Sequence, residues 1–141
     1  MLPCGHSGQT GSVIIVTQTM PLFGFYVNAT YAFGTLFYPL NGVSNVAEST
    51  CRCYVPAGKS VKLCVYLRAI SLNAGTVTIT LRKNGADTAQ QITVSWMDDA
   101  DTLLTDSDEV SFAAGDYMDI KVTVAGATGG AAQLVITSHW Q

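Results

Sequence analysis

Charge is scarce in this chain of 141 residues. Lys, Arg, Asp and Glu make up 12% of it, against about 25% in an average globular domain. The seven Lys and Arg are scattered and form no basic stripe. That argues against a nucleic-acid partner, since binding phosphates needs clustered positive charge. No apolar run reaches the ~18 residues of a membrane span, so no membrane partner is expected. The opening MLPCGHSGQTG has neither the positive region nor the apolar stretch of a secretory signal. The expectation is a protein that stays in the compartment where it is made, or leaves by lysis or as part of a particle.

Reactive side chains are sparse too. The two histidines, His6 and His139, lie near the two ends with no third partner in motif spacing, so no Ser-His-Asp arrangement can be argued. His139, in TSHW, reads either as an interface or ligand contact or as a surface histidine at a frayed strand end. The four cysteines are Cys4, Cys51, Cys53 and Cys64. An even count invites disulfides, but the secretory context for them is missing. Cys51 and Cys53 are poorly placed to bond each other within one strand. A Cys51–Cys64 or Cys53–Cys64 bridge stays open if those segments pair. C-x-C with one distant Cys and His6 does not give zinc-site spacing. Small buried thiols are the expectation.

Acidic residues gather in MDDADTLLTDSDE (97–109), which reads as a loop holding Asp98, Asp99, Asp101, Asp106, Asp108 and Glu109. An EF-hand needs glycine at the sixth position, where DDADTLLTDSDE has Leu103. A different calcium geometry stays open beside a solvated loop whose Asp side chains form local turns. Acids in one loop do not single out the carboxylate pair of a glycoside hydrolase. GATGG (126–130) lacks a phosphate-loop Lys and leads into a strand, so it reads as a hairpin turn. No motif supports an enzyme, and no catalytic, cofactor-binding or metal-binding residue is assigned.

What the chain has in quantity is alternation. In TVTITLRKNGADTAQQITVSW (76–96), Val77, Ile79 and Leu81 alternate with Thr76, Thr78, Thr80 and Arg82. This is the period of a strand with one buried face. Asn84-Gly85 supplies the positive φ angles of a tight turn, and Gln91 to Trp96 alternates again. The segment is a hairpin lending Val77, Ile79, Leu81, Ile92, Val94 and Trp96 to a core. Further strands are expected over 12–20, 22–30, 32–40, 48–56, 61–72, 110–112, 117–126 and 132–140. Gly24 and Gly34 mark bulges, or else an extended arm. No segment sustains a helical period. Eight to ten short strands with this turn spacing read as an all-β sandwich or barrel in one domain.

Hydrophobic residues are 48% of the chain. With so few charges, a monomer would struggle to cover itself, so apolar surface buried against other copies or another protein is expected. The alternative is a Thr- and Ser-rich coat. Phe23, Phe25, Tyr26, Tyr31, Phe33, Phe37 and Tyr38 crowd into residues 22–38. They are the candidate interface, with sandwich core and sugar-stacking platform as the other readings.

From about residue 36 onward the chain resembles a known family. The signals are FYPLNG, then AEST with YVPAGKSVKLCVYL, then GTVTITLRKNG, TDSDEVSFAAGDYMDIKVT and LVITSHW. They resemble the small jelly-roll domains of tailed-bacteriophage virion proteins, including capsid decoration (cement) proteins. The most specific pieces are VTITLRKNG and EVSFAAGD, whose Gly115-Asp116 turn would lead into a strand crossing the sandwich. The resemblance implies a single-domain jelly-roll β-sandwich of about eight antiparallel strands, often a homotrimer, seated where major capsid subunits meet. It implies location on the virion capsid surface after synthesis in the host cytoplasm, and no catalytic residues. Residues 1–20 would be an N-terminal arm and first strand available for an interface, and 21–141 the jelly-roll domain. Similar jelly rolls occur in tail spikes and receptor-binding tips, which leaves glycan recognition as the alternative function.

Overall fold

The computed structural model describes residues 20–30, 32, 34–39 and 44–141, with side chains from Val27 onward. Cys4, His6, Tyr31, Phe33 and nearly all of the strand expected over 12–20 lie outside the described residues. Ten strands form among those described: β1 (Met20–Thr30), β2 (Thr35–Tyr38), β3 (Cys53–Tyr54), β4 (Gly58–Ile70), β5 (Thr76–Lys83), β6 (Ala86–Ser95), β7 (Thr102–Asp106), β8 (Val110–Phe112), β9 (Tyr117–Ala125) and β10 (Ala131–Trp140). A 3-10 turn spans Glu48–Thr50. The fold is all-β, as the alternation implies.

The strands make two antiparallel sheets. The first runs β1-β10-β4-β7, with β8 also on β4; the second runs β2-β9-β5-β6, with β3 also on β9. The chain changes sheet at β1 to β2, β3 to β4, β4 to β5, β6 to β7, β8 to β9 and β9 to β10. Only the β5–β6 hairpin joins two long strands of one sheet. Its turn has φ +50° at Asn84 and +81° at Gly85, the double positive φ expected of Asn-Gly. The β1 register shifts between Pro21 and Phe23, while Gly24 pairs regularly with Thr137.

The core lies between the sheets. Leu63, Val65 and Leu67 of β4 and Leu134 and Ile136 of β10 face Val77, Ile79 and Leu81 of β5 and Met118, Ile120 and Val122 of β9. All are buried, each contributing on the order of 1.5–3 kcal/mol relative to exposure. A polar chain is sealed in with them. The Ser60 hydroxyl donates to Gln90 Oε1 at 2.7 Å and lies 2.9 Å from Ser138 Oγ, which accepts from Trp140 Nε1 at 2.8 Å.

Three local expectations are corrected. Trp96 is 47% exposed rather than in the core. The strand ends at Ser95, where the Asp98 amide donates to the Ser95 carbonyl oxygen at 3.0 Å and turns the chain away. The acidic 97–109 stretch is not one loop, because Thr102–Asp106 pairs with β4. Residues 48–56 do not form one strand; a 3-10 turn precedes the two-residue β3. Gln90 is buried in phase with Ile92 and Val94 on the inner face of β6.

Candidate functional site

On the outer face of the second sheet, adjoining strands bring together side chains far apart in sequence. Register sets Arg82 of β5 between Asp119 of β9 and Asp87 of β6. One row along, Phe37 of β2 pairs with Lys121 of β9. The long connection after β2 folds back over this row. Phe37 and Asn45 exchange backbone hydrogen bonds of 2.8 and 2.9 Å, the buried Cys51 thiol donates to the Phe37 carbonyl oxygen at 3.3 Å, and the 3-10 turn carries Glu48 over Arg82.

Arg82 is the hub. Its Nε and Nη2 reach Glu48 Oε1 and Oε2 at 3.0 and 3.1 Å, a bidentate pair. It also donates to Asp87 and to the Gly85 carbonyl oxygen, and its guanidinium lies 5.5 Å from the Phe37 ring centroid. Lys121 donates to the other oxygen of Asp87. Burial alone would lower the Arg82 pKa, but hydrogen bonds and charge from Glu48 and Asp87 raise it above the ordinary value. For Asp87 burial acts upward, and Lys121 and Arg82 outweigh it, holding the carboxyl below its ordinary value.

Asp119 is the exception in this knot. It is 1% exposed, and neither carboxyl oxygen has a hydrogen-bond donor. Arg82 Nε is 3.8 Å away, too far for a hydrogen bond. Burial first, then the charge and hydrogen-bonding proximity of Glu48, push its pKa up to about 7 against the weaker pull of Arg82 and Arg52. Two carboxylates can hydrogen-bond only when one carries a proton, so a neutral Asp119 gives one of the orphaned oxygens an O–H to donate and removes the buried charge from the other.

At the near end of the sheet, Tyr54 packs edge-on to Tyr117 with ring centroids 6.0 Å apart, and Arg52 sits 4.6 Å above the Tyr117 ring. Asp116 accepts from Asn84, from the Ala113 amide and from Lys83, and these contacts lower its pKa to about 2.

The candidate interface aromatics are distributed. Phe23, Phe25 and Tyr26 lie on β1, backbone to backbone with Ser138, Ile136 and Val135. Phe37 is half-buried under Arg82, and Tyr38 is in the core. Among the described side chains the exposed aromatics are Tyr54 at 70%, Trp96 and Tyr66. His139 is half-buried, its Nε2 3.4 Å from Thr137 Oγ1. Cys51, Cys53 and Cys64 are free thiols. Cys64 belongs to the first sheet, whereas Cys51 and Cys53 lie against the second. Among the described residues no three or more His, Cys, Asp or Glu side chains converge as a metal site would require. No described helix is long and apolar enough to cross a membrane.

Sequence reasoning missed the Glu48–Arg82–Asp119 knot. In MDIKV, Asp119 occupies a polar position of the alternation and looks solvated. Its burial comes from Glu48, 71 positions earlier in the numbering, and is readable only once β9 is paired with β5. No protein-family model matches this sequence, and no curated protein matches it.

Proposed function

We propose that this protein is a jelly-roll assembly module, specifically a capsid decoration protein of a tailed bacteriophage. In this reading it acts as a homotrimer that clamps neighbouring major capsid subunits by non-covalent contact on the virion surface. The observation that carries the reading is the strand order. β1, β10, β4 and β7 lie in one sheet and β2, β9, β5 and β6 in the other, and the repeated crossing of the chain between them supports a jelly roll. The exposed apolar side chains support it. Tyr66 and Leu103 are direct register partners on the outside of the first sheet, Val46 and Tyr54 project from the connection over the second, and Met97 stands at the tip beyond β6. A ligand that binds only the assembled shell stabilises that shell by mass action. This reading assigns no catalytic residue.

Glycan recognition is the second reading, favoured by the half-exposed Trp96. Its loop is braced by the Trp96 amide donating to the Gly75 carbonyl oxygen at 3.2 Å. Against it, Trp96 and Tyr54 stand at opposite ends of β5, one beyond the Thr76 end and the other near Lys83. Trp96 and Tyr54 therefore do not line one groove.

The deciding experiment is co-sedimentation of the purified protein with empty capsids, with its solution mass measured by light scattering. Pelleting with shells and a mass three times 14.9 kDa support decoration. Failure to pellet, with retention on a glycan array, moves the assignment to receptor binding.

A further inference from the structure

The Asp119 pocket has a property that neither functional reading uses. Residues 46–52 cross the second sheet between two fixed points, the Asn45–Phe37 hydrogen bonds and the β3 pairing that begins at Cys53↔Met118. Between those points the turn is held chiefly by Glu48 on Arg82 and by the Cys51 thiol on the Phe37 carbonyl oxygen. The charged and titratable groups around Asp119 are Glu48 and Arg52 from this segment, Arg82 and Lys83 from β5, Asp87 from β6, and Tyr117 and Lys121 from β9. Asp87 is already neutralised by Lys121 and Arg82, and Lys83 is engaged by Asp116. The balance is therefore set by Glu48 and Asp119 competing for Arg82.

We propose that the buried Asp119 holds a proton beside the Glu48–Arg82 pair, and that its loss unlatches residues 46–52 from the second sheet. With the proton in place, Arg82 is free to hold Glu48 bidentately and Asp119 needs no cation. Once the proton leaves to solvent, two carboxylates flank one guanidinium. The buried Asp119 cannot move to water, because β9 lies mid-sheet between β2 and β5. Glu48, on a turn at the surface, can. The segment that lifts carries Val46, one of the most exposed apolar side chains, and uncovers Cys51. Opening accompanies rising pH through neutrality, since the folded-state pKa of Asp119 lies near 7. The latch operates whether or not the protein decorates a shell.

The test uses the full chain and site-resolved alkylation by iodoacetamide, read by mass spectrometry from pH 5.5 to 8.5. Thiols react faster at high pH in any case, so each rate is divided by that of an Asp119→Asn variant at the same pH. The expected Cys51 ratio is close to one at low pH and rises by roughly tenfold or more above neutrality, the scale two pH units allow a single titration. Cys64, on the other sheet, keeps a flat ratio. A flat Cys51 ratio overturns the proposal. Should Asp119→Asn fail to fold, the wild-type protein carries the test alone through carbon NMR of the Asp119 carboxyl and hydrogen exchange of the Cys51 amide. A midpoint near 7 with matching loss of protection supports the latch. A midpoint near 4, or protection that does not follow it, refutes it.

Discussion

Replacing Arg82 by Met tests whether the charged knot holds the outer connection in place. Met keeps an apolar stem over the Phe37 ring and removes the guanidinium. The gross attraction between Arg82 and Glu48 at 3.0 Å is roughly 5 kcal/mol at an effective dielectric of about 20. Desolvation offsets much of it, and stripping one partner from a buried pair costs about 3–5 kcal/mol. The two side chains are 12% and 19% exposed, so water relieves part of that cost and the lower end applies, about 3 kcal/mol. Asp87 keeps Lys121, and Asp119 loses the cation that holds its pKa down and turns neutral, so Glu48 is the group left stranded. The assay is urea unfolding at pH 7 of wild type, Arg82→Met, Glu48→Gln and the double variant. Because Glu48→Gln removes the stranded charge, the double variant should cost about 1.5–2 kcal/mol less than the sum of the singles. A cost below about 1 kcal/mol for Arg82→Met, or additivity within about 0.5 kcal/mol, would refute the reasoning.

Gln90→Leu should destabilise by about 2–4 kcal/mol in the same assay, because it takes the Gln90 Oε1 acceptor from the Ser60 hydroxyl and the Gln90 Nε2 donor from the Asp108 carbonyl oxygen. Gly130→Ala and Gly115→Ala make a matched pair of positive-φ substitutions, at +88° and +91°. A Cβ at 130 would lie 2.0 Å from the Ser71 carbonyl oxygen, whereas one at 115 meets nothing within 4 Å. Thermal melting should show Gly115→Ala costing about 1 kcal/mol, the left-handed backbone penalty alone, and Gly130→Ala clearly more. Asp116, with its folded pKa near 2, lies below its unfolded value. Its contribution is present above pH ~4 and is lost as pH falls through 2; the deficit of Asp116→Asn relative to wild type should therefore shrink across that window.

The sandwich was legible where one sheet face is buried and the chain alternates without interruption. Val77, Ile79 and Leu81, and Met118, Ile120 and Val122, point where their spacing says. β7 was hidden because its alternation is only five residues long and its acidic flanks read as solvent. Trp96 continued the parity of Ile92 and Val94, but a hydrogen-bonded turn at Ser95–Asp98 ended the strand before the parity could act. The knot was illegible for a different reason. Alternation says which face a residue takes, and it is silent on what later crosses that face. Only the pairing of β9 with β5 and the return of the 44–54 connection make Asp119 a buried acid.

The position of β10 bears on how the protein is born. It is the last of the ten strands to leave the ribosome, yet it sits mid-sheet between β1 and β4. Until residues 131–140 emerge, β1 and β4 each lack the neighbour that β10 supplies. The nascent chain must therefore carry two unpaired strand edges through most of its synthesis, a template for pairing with the wrong chain. Closure depends on contacts between residues more than a hundred positions apart, such as Val27 with Leu134, so folding should be slow for a domain of this size. Synthesis rate and chaperone capture, rather than native stability, would then govern how much of it reaches its folded state.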